Sequence, residues 1–186
     1  MAEPEATLGT MRPTPPPTDV WADDRIVVDR SAIEGQGLIA GHDIGYGTVV
    51  LRLGGRLVTG AELGQLIAAA DRDAEAPYVD TVTIYEDAEL VLPPATIVHF
   101  GNHSCDPNLW HVGSYELATR RAVRAGEELT LDYGTNSGAH GFAMECRCGS
   151  GLCRGRVTSE DWRLPELRAR YNDHWTPALQ QRVDRL

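Results

Sequence analysis

A chain of 186 residues, 42% hydrophobic and 24% charged, is long and apolar enough to bury one core without disulfide help. Its 27 acidic residues against 17 basic ones give a net charge of −10, which repels phosphate backbones and attracts cations. Direct nucleic-acid binding is therefore not expected, and a basic protein or peptide is the expected partner.

No stretch reaches the roughly 18 apolar residues that a membrane helix needs. No cationic start followed by an apolar run marks a secretory signal. The expectation is a cytoplasmic protein without membrane association, its oligomeric state left open. In a reducing compartment four cysteines predict a metal before they predict disulfides.

Residues 1–20, rich in Pro, Thr and Glu and containing Pro15-Pro16-Pro17, predict a flexible tail. Regular structure is expected to begin near Arg25-Ile26-Val27-Val28. Short β-branched runs bounded by Gly, Pro and Asp predict strands over 48–53, 79–85, 89–92, 115–119 and 128–133. One helix is predicted over 61–70, with Leu63, Leu66, Ile67 and Ala70 on one face. A short helix is predicted over 165–171, and another after Thr176, a good N-cap followed by Pro177. The fold class is α+β and β-rich: a tail at 1–20, a body at 21–140, and a cysteine-bearing segment with terminal helices at 141–186.

Cys146, Cys148 and Cys153 form C-x-C-x4-C, and Cys105 stands alone upstream. Four thiolates on one zinc make a closed tetrahedral structural site. Gly149, Ser150, Gly151 and Gly155 let the backbone curl around such an ion. Inert cysteines would not be expected to cluster in this way, and C-x-C neighbours cannot easily bridge each other. A zinc ribbon gripping nucleic acid is the competing metal reading, and the negative charge counts against it.

Three more segments complete a pattern: Gly35-Gln36-Gly37-Leu38, Asn102-His103-Ser104-Cys105-Asp106-Pro107-Asn108, and Glu128-Leu129-Thr130-Leu131-Asp132-Tyr133-Gly134. With Cys146-Arg147-Cys148-Gly149-Ser150-Gly151-Leu152-Cys153-Arg154-Gly155 they resemble, in order, the signature set of SET-domain protein-lysine N-methyltransferases with a post-SET zinc segment. The G-x-G turn alone is weak; N-H-S-C-x-P-N matches at every fixed position. The resemblance spans about residues 25–160. It implies small curved sheets with a C-terminal pseudoknot that brings the N-H-S-C and D-Y segments side by side. It also implies that Cys105 joins the three later cysteines on one zinc.

The activity implied is methyl transfer from S-adenosylmethionine to an amine. A lysine amine, with a pKa near about 10.4, attacks only when neutral, and a narrow apolar channel lowers that pKa. Oxygen atoms can hold the polarised C–H groups of the donor, and alignment of the reacting atoms supplies rate. By resemblance Tyr133 is the catalytic tyrosine. Asn102 and His103 would contact the cofactor, as would Gln36, Gly37 and Leu38 through their backbone, with Leu152 on its adenine ring.

Tyr78, Tyr85 and Tyr115 are candidates for the channel, although core packing is the expected role of each. Trp110, Trp162 and Trp175 are expected as core or cap residues and not as substrate cages. His99 stands where relatives often carry Arg. Leu131 stands two before the tyrosine, where many carry Phe or Tyr, and so leaves room for di- or trimethylation. The chain has no lysine of its own, which fits a GC-rich bacterium and a basic nucleoid or ribosomal substrate. The alternatives are a small-molecule amine methyltransferase in biosynthesis and a catalytically silent binding module.

Overall fold

The computed structural model describes residues 14–73, 78–139 and 141–186. In chain order come β1 (Trp21–Ala22), β2 (Ile26–Arg30), β3 (Gln36–Ala40), β4 (Val49–Arg52), β5 (Arg56–Val58) and the helix α1 (Gly60–Ala70). Next are β6 (Thr81–Tyr85), β7 (Ala88–Val91), β8 (Asn102–His103), β9 (Leu109–Val112), β10 (Glu116–Thr119) and β11 (Glu128–Leu131). The end of the chain adds β12 (Ala143–Glu145), β13 (Arg156–Thr158), α2 (Pro165–Tyr171) and α3 (Pro177–Asp184).

The strands make four small sheets, ordered β1-β4-β10-β9, β2-β3-β11-β8, β5-β7-β6 and β12-β13. Such short strands cannot bury a face alone, so the sheets close on one another over shared cores. One core collects Leu38, Val50, Leu117 and Leu129; a second holds Ile84, Leu90 and Tyr115. A third holds Trp162, Leu167, Tyr171, Trp175 and Leu179, so α2 and α3 cover a core of their own.

The β-rich α+β expectation holds, with differences that have local causes. The strand predicted through residue 133 ends at Leu131. The Asp132 side chain accepts the Gly134 N–H, and Tyr133–Thr135 turns into a 3-10 helix. Tyr133 is therefore presented on a turn, not along a strand. The predicted apolar face of α1 is narrower than the periodicity implied: Leu63 is buried, Leu66 and Ala70 half-buried, and Ile67 43% exposed. α1 packs mainly on β7, which covers little more than one row of its side chains. Its start is a full capping box between Thr59 and Glu62. Thr176 caps α3 by position, without a side-chain hydrogen bond.

Part of the predicted tail, residues 1–13, lies outside the described residues. From Thr14 the chain runs against the body: its carbonyl accepts from the Tyr115 hydroxyl at 2.5 Å and its N–H donates to the Tyr85 hydroxyl at 3.1 Å. These bonds hold Tyr85 and Tyr115 in the second core.

One pairing organises the site. β8 and β11 run parallel, with Asn102 opposite Thr130 and His103 opposite Leu131. The Ser104 N–H extends the pairing to the Leu131 carbonyl at 3.0 Å. The N-H-S-C segment and the D-Y segment, distant in sequence, thereby become neighbours, as the resemblance implied.

Candidate active site and metal centre

Asn102 sits at the start of β8, where its amide nitrogen meets four oxygens. These are Glu128 Oε1 at 2.8 Å, Ser31 Oγ at 3.0 Å, and the carbonyls of Gln36 at 3.0 Å and Glu34 at 3.1 Å. Ser31 Oγ in turn donates to Glu128 and accepts the N–H groups of Ile33 and Glu34. The turn 31–36 is thus tied to the N-H motif. Gly37 has a specific reason to be glycine: a Cβ there would stand 2.3 Å from Glu128 Oε1. Glu128 is a residue that sequence reading did not single out, although it opens the E-L-x-x-D-Y motif.

The turn is bordered by carbonyl and carboxylate oxygens, a donor set that suits a ligand bearing sulfonium and ammonium charge. Gln36 is exposed at its edge, while Gly37 and Leu38 are buried. Arg147, from the cysteine segment, approaches Glu34 at 3.6 Å, so that segment borders the same turn. Leu152 lies exposed in it.

His103 is buried and engaged on both sides. The Tyr133 N–H donates to its Nδ1 at 3.1 Å, so the proton sits on Nε2, which donates to Cys105 Sγ at 3.3 Å. Burial pushes its pKa down despite the nearby Asp132 carboxylate, which keeps the ring neutral. What His103 has left to offer a cofactor is its backbone.

The four cysteine sulfurs lie within 4.8 Å of one another, with Cys105 and Cys146 at 3.7 Å. A tetrahedron with Zn–S near 2.3 Å has edges of about 3.8 Å, so the set fits one zinc ion. The sulfurs already collect donors: the Arg154 N–H points to Cys105 Sγ at 3.3 Å and the Cys105 N–H to Cys148 Sγ at 3.5 Å. Burial raises the Cys148 thiol, but the Cys105 N–H and the Ser150 hydroxyl outweigh it and bring its pKa down to about 6. Burial raises the thiols of Cys105 and Cys146. All four could serve a metal as thiolates, since a bound cation stabilises the ionised form.

Behind Tyr133 lies a buried charge network that sequence reading missed. Arg154 donates to both oxygens of Asp132 at 2.7 Å and to Asp161 at 3.0 Å. Asp132 is fully buried and also accepts from the Tyr171 hydroxyl at 2.9 Å. The C-R-G motif contained Arg154, and the D-Y motif Asp132. Nothing in the spacing said that they pair.

Tyr133 points into a cavity of about 520 Å³. Its hydroxyl donates to the Gly101 carbonyl at 2.5 Å, which sets the phenol beside the residue preceding Asn102. Leu131, Phe142, Tyr78, Asp80 and His99 share the same walls. Of the three candidate tyrosines, Tyr78 is the one at the cavity, and at 81% exposed it does not take the core-packing role expected for it. Tyr78 lies ahead of β6, outside the described strands. Trp162 and Trp175 are buried, whereas Trp110 stacks on His174 with ring centroids 3.4 Å apart. Burial, with the negative charge of Asp80, pushes the Tyr133 phenol well above its usual range. It stays neutral at physiological pH, a hydrogen-bonding dipole and not a base.

Residues 35–134 match the SET domain family model. The chain is 30% identical over 149 residues to a protein of Drosophila melanogaster named histone-lysine N-methyltransferase ash1, covering 75% of this chain and 6% of that one. It is 32% identical over 127 residues to human histone-lysine N-methyltransferase SUV39H2, covering 50% of this chain and 31% of that one. A Plasmodium falciparum protein named putative histone-lysine N-methyltransferase 1 is 27% identical over 149 residues, which cover 72% of this chain and 2% of that one. This chain thus spans less than a third of the length of each of these relatives. No described helix is long and apolar enough to cross a membrane. The G-x-G, N-H-S-C and D-Y segments converge around Tyr133 inside the matched region, and the chain belongs to the SET-domain family.

Proposed function

We propose that the protein is a lysine N-methyltransferase that uses S-adenosylmethionine, acts on a basic protein, and carries a structural zinc on Cys105, Cys146, Cys148 and Cys153. The single observation that carries this is the placement of Tyr133. Its neutral hydroxyl stands where an apolar cavity abuts the Asn102–His103 segment. S-adenosylmethionine, when bound, supplies a methyl group on a positively charged sulfur.

Asn102, Gln36, Gly37 and Leu38 would hold the cofactor at the oxygen-bordered turn, with the His103 backbone and Leu152 completing the contact. Tyr133 orients the reacting groups through its hydroxyl dipole, and Leu131 and Phe142 exclude water from the channel. The net charge of −10 supports a cationic protein substrate, and the relatives' names point the same way. A reducing, cytoplasmic setting that keeps four thiols available to zinc belongs to this reading.

Labelled methyl from S-adenosylmethionine, added with the protein to a lysate of the source organism, should enter the protein fraction. Label confined to small molecules would replace the protein substrate with a small-molecule amine. No label in either fraction, with cofactor bound, would favour a binding module.

The metal is tested separately. Purified protein should carry about one zinc, and its thiols should react with a thiol reagent only after chelation. Since structural zinc contributes about 10–16 kcal/mol of apparent binding energy, Cys148→Ser should lower both occupancy and Tm. Full occupancy in that variant would contradict the four-cysteine site.

Leu131 is expected to permit di- and trimethylation, because it leaves space where an aromatic hydroxyl would restrict the amine. Leu131→Tyr should shift products toward monomethyl-lysine by mass spectrometry. Only monomethylated product from the wild type under exhaustive conditions would refute this role.

A further inference from the structure

An amine that arrives protonated has to lose a proton before it attacks, and Tyr133, held neutral, cannot take it. Among the described residues lining the cavity, Asp80 is the one carboxylate. Its Oδ2 lies 3.0 Å from Nδ1 of His99, whose Nε2 lies 2.9 Å from the Pro93 carbonyl. A carbonyl only accepts, so Nε2 carries a hydrogen. Nδ1 then faces the carboxylate and fixes the position of Oδ2.

Asp80 is close enough for its charge to raise the phenols of both Tyr78 and Tyr133. Among the described residues, these two phenols and His99 are the titratable groups that act on it. Burial holds the Asp80 carboxyl above the ordinary range against the opposing pull of His99, which makes the carboxylate a stronger base.

We propose that Asp80, steadied by His99, receives the substrate ammonium in the channel and takes its proton; this rests on the methyltransferase reading. The N–H bond breaks, and its electron pair stays on the amine nitrogen as the pair that attacks the methyl carbon. The proton bonds to the Asp80 oxygen turned away from His99. The Asp80 side chain is 30% exposed, so the proton passes to water between transfers. A base inside the channel also lets a methylated amine lose its next proton without leaving, which complements the room left by Leu131.

The test follows single-turnover transfer to an equimolar library of lysine-containing peptides across pH, for wild type and Asp80→Asn. The variant is expected to be slower by about 10²-fold near neutrality. The deficit should shrink as pH rises toward the lysine pKa near about 10.4, where solvent supplies the free amine. Wild type should lose rate as pH falls through the raised Asp80 pKa, because a protonated carboxyl accepts nothing. His99→Gln, a second variant, should show the same shape with a smaller loss, and cofactor affinity should stay constant in both. An Asn variant with the wild-type rate and profile would overturn the role of Asp80 alone, as would an equal loss at every pH. Transfer by neither protein would overturn the methyltransferase reading and this role with it.

Discussion

Tyr133→Phe is expected to lower kcat by about 10²-fold, the loss typical of removing one preorganised hydrogen-bonding group at a reacting centre. The substitution deletes a single oxygen, the one that donates to Gly101 at the inner end of the cavity. Its structural cost should be small, about 1 kcal/mol for one hydrogen bond. The ring stays, and with it the packing near His103, whose centroid lies 5.4 Å away. The Tyr133 N–H, which fixes the His103 tautomer, also stays. Cofactor binding and fold should therefore survive while turnover falls. Steady-state kinetics with a parallel binding titration checks both, and a variant with the wild-type kcat would remove Tyr133 from the chemistry.

Asp132→Ala is expected to be the most destabilising single substitution of a polar residue. Asp132 is fully buried, and it receives both terminal nitrogens of Arg154 together with the Tyr171 hydroxyl. Removing it strands a guanidinium whose side chain is 13% exposed, leaving Asp161 as its remaining carboxylate. Breaking a buried pair in this way costs about 3–5 kcal/mol.

Arg154→Met alone should also cost, because Asp132 then loses its countercharge. The double variant should cost less than the sum of the singles, since neither charge is left without the other. Thermal and denaturant unfolding of the four proteins measures this coupling. Additive effects, or a single-variant cost below about 1 kcal/mol, would show that the network carries no such weight. Activity should fall with stability, because Asp132 immediately precedes Tyr133 and caps its turn.

The chemistry-bearing segments were legible because each is a run of specified residue types: N-H-S-C-x-P-N, the D-Y ending and C-x-C-x4-C can be read without coordinates. The cysteine count and clustering pointed to one four-thiolate zinc site, and the resemblance supplied the reason why the lone Cys105 joins the three distant cysteines. β4, β6, β7, β10 and β11 were legible where β-branched residues alternate with turn signals, whereas β3, β5 and β9, which fall outside those runs, were not read as strands. Two-residue strands such as β8 carry no periodicity, and they are defined by the β11 edge that they meet.

Asp80 and His99 were invisible as a pair for the same reason. The first leads into β6 and the second sits in the 3-10 turn before β8; only the fold brings them within 3.0 Å. Gly37 was legible as a close-approach glycine, but its nearest neighbour is the Glu128 carboxylate of its own chain. Exposure misled in one place: Tyr78 lies outside any strand, and propensity for core packing says nothing about a ring held at a cavity mouth.

The central claim is transfer of a methyl group to lysine, and the chain's freedom from lysine makes its product clean to read. The decisive measurement is amino-acid analysis of the hydrolysed protein fraction after incubation with methyl-labelled S-adenosylmethionine. Label recovered as methylated lysine with wild type, and lost with Tyr133→Phe, is the result expected. Label recovered on arginine or another residue, or equally with both proteins, would contradict the assignment.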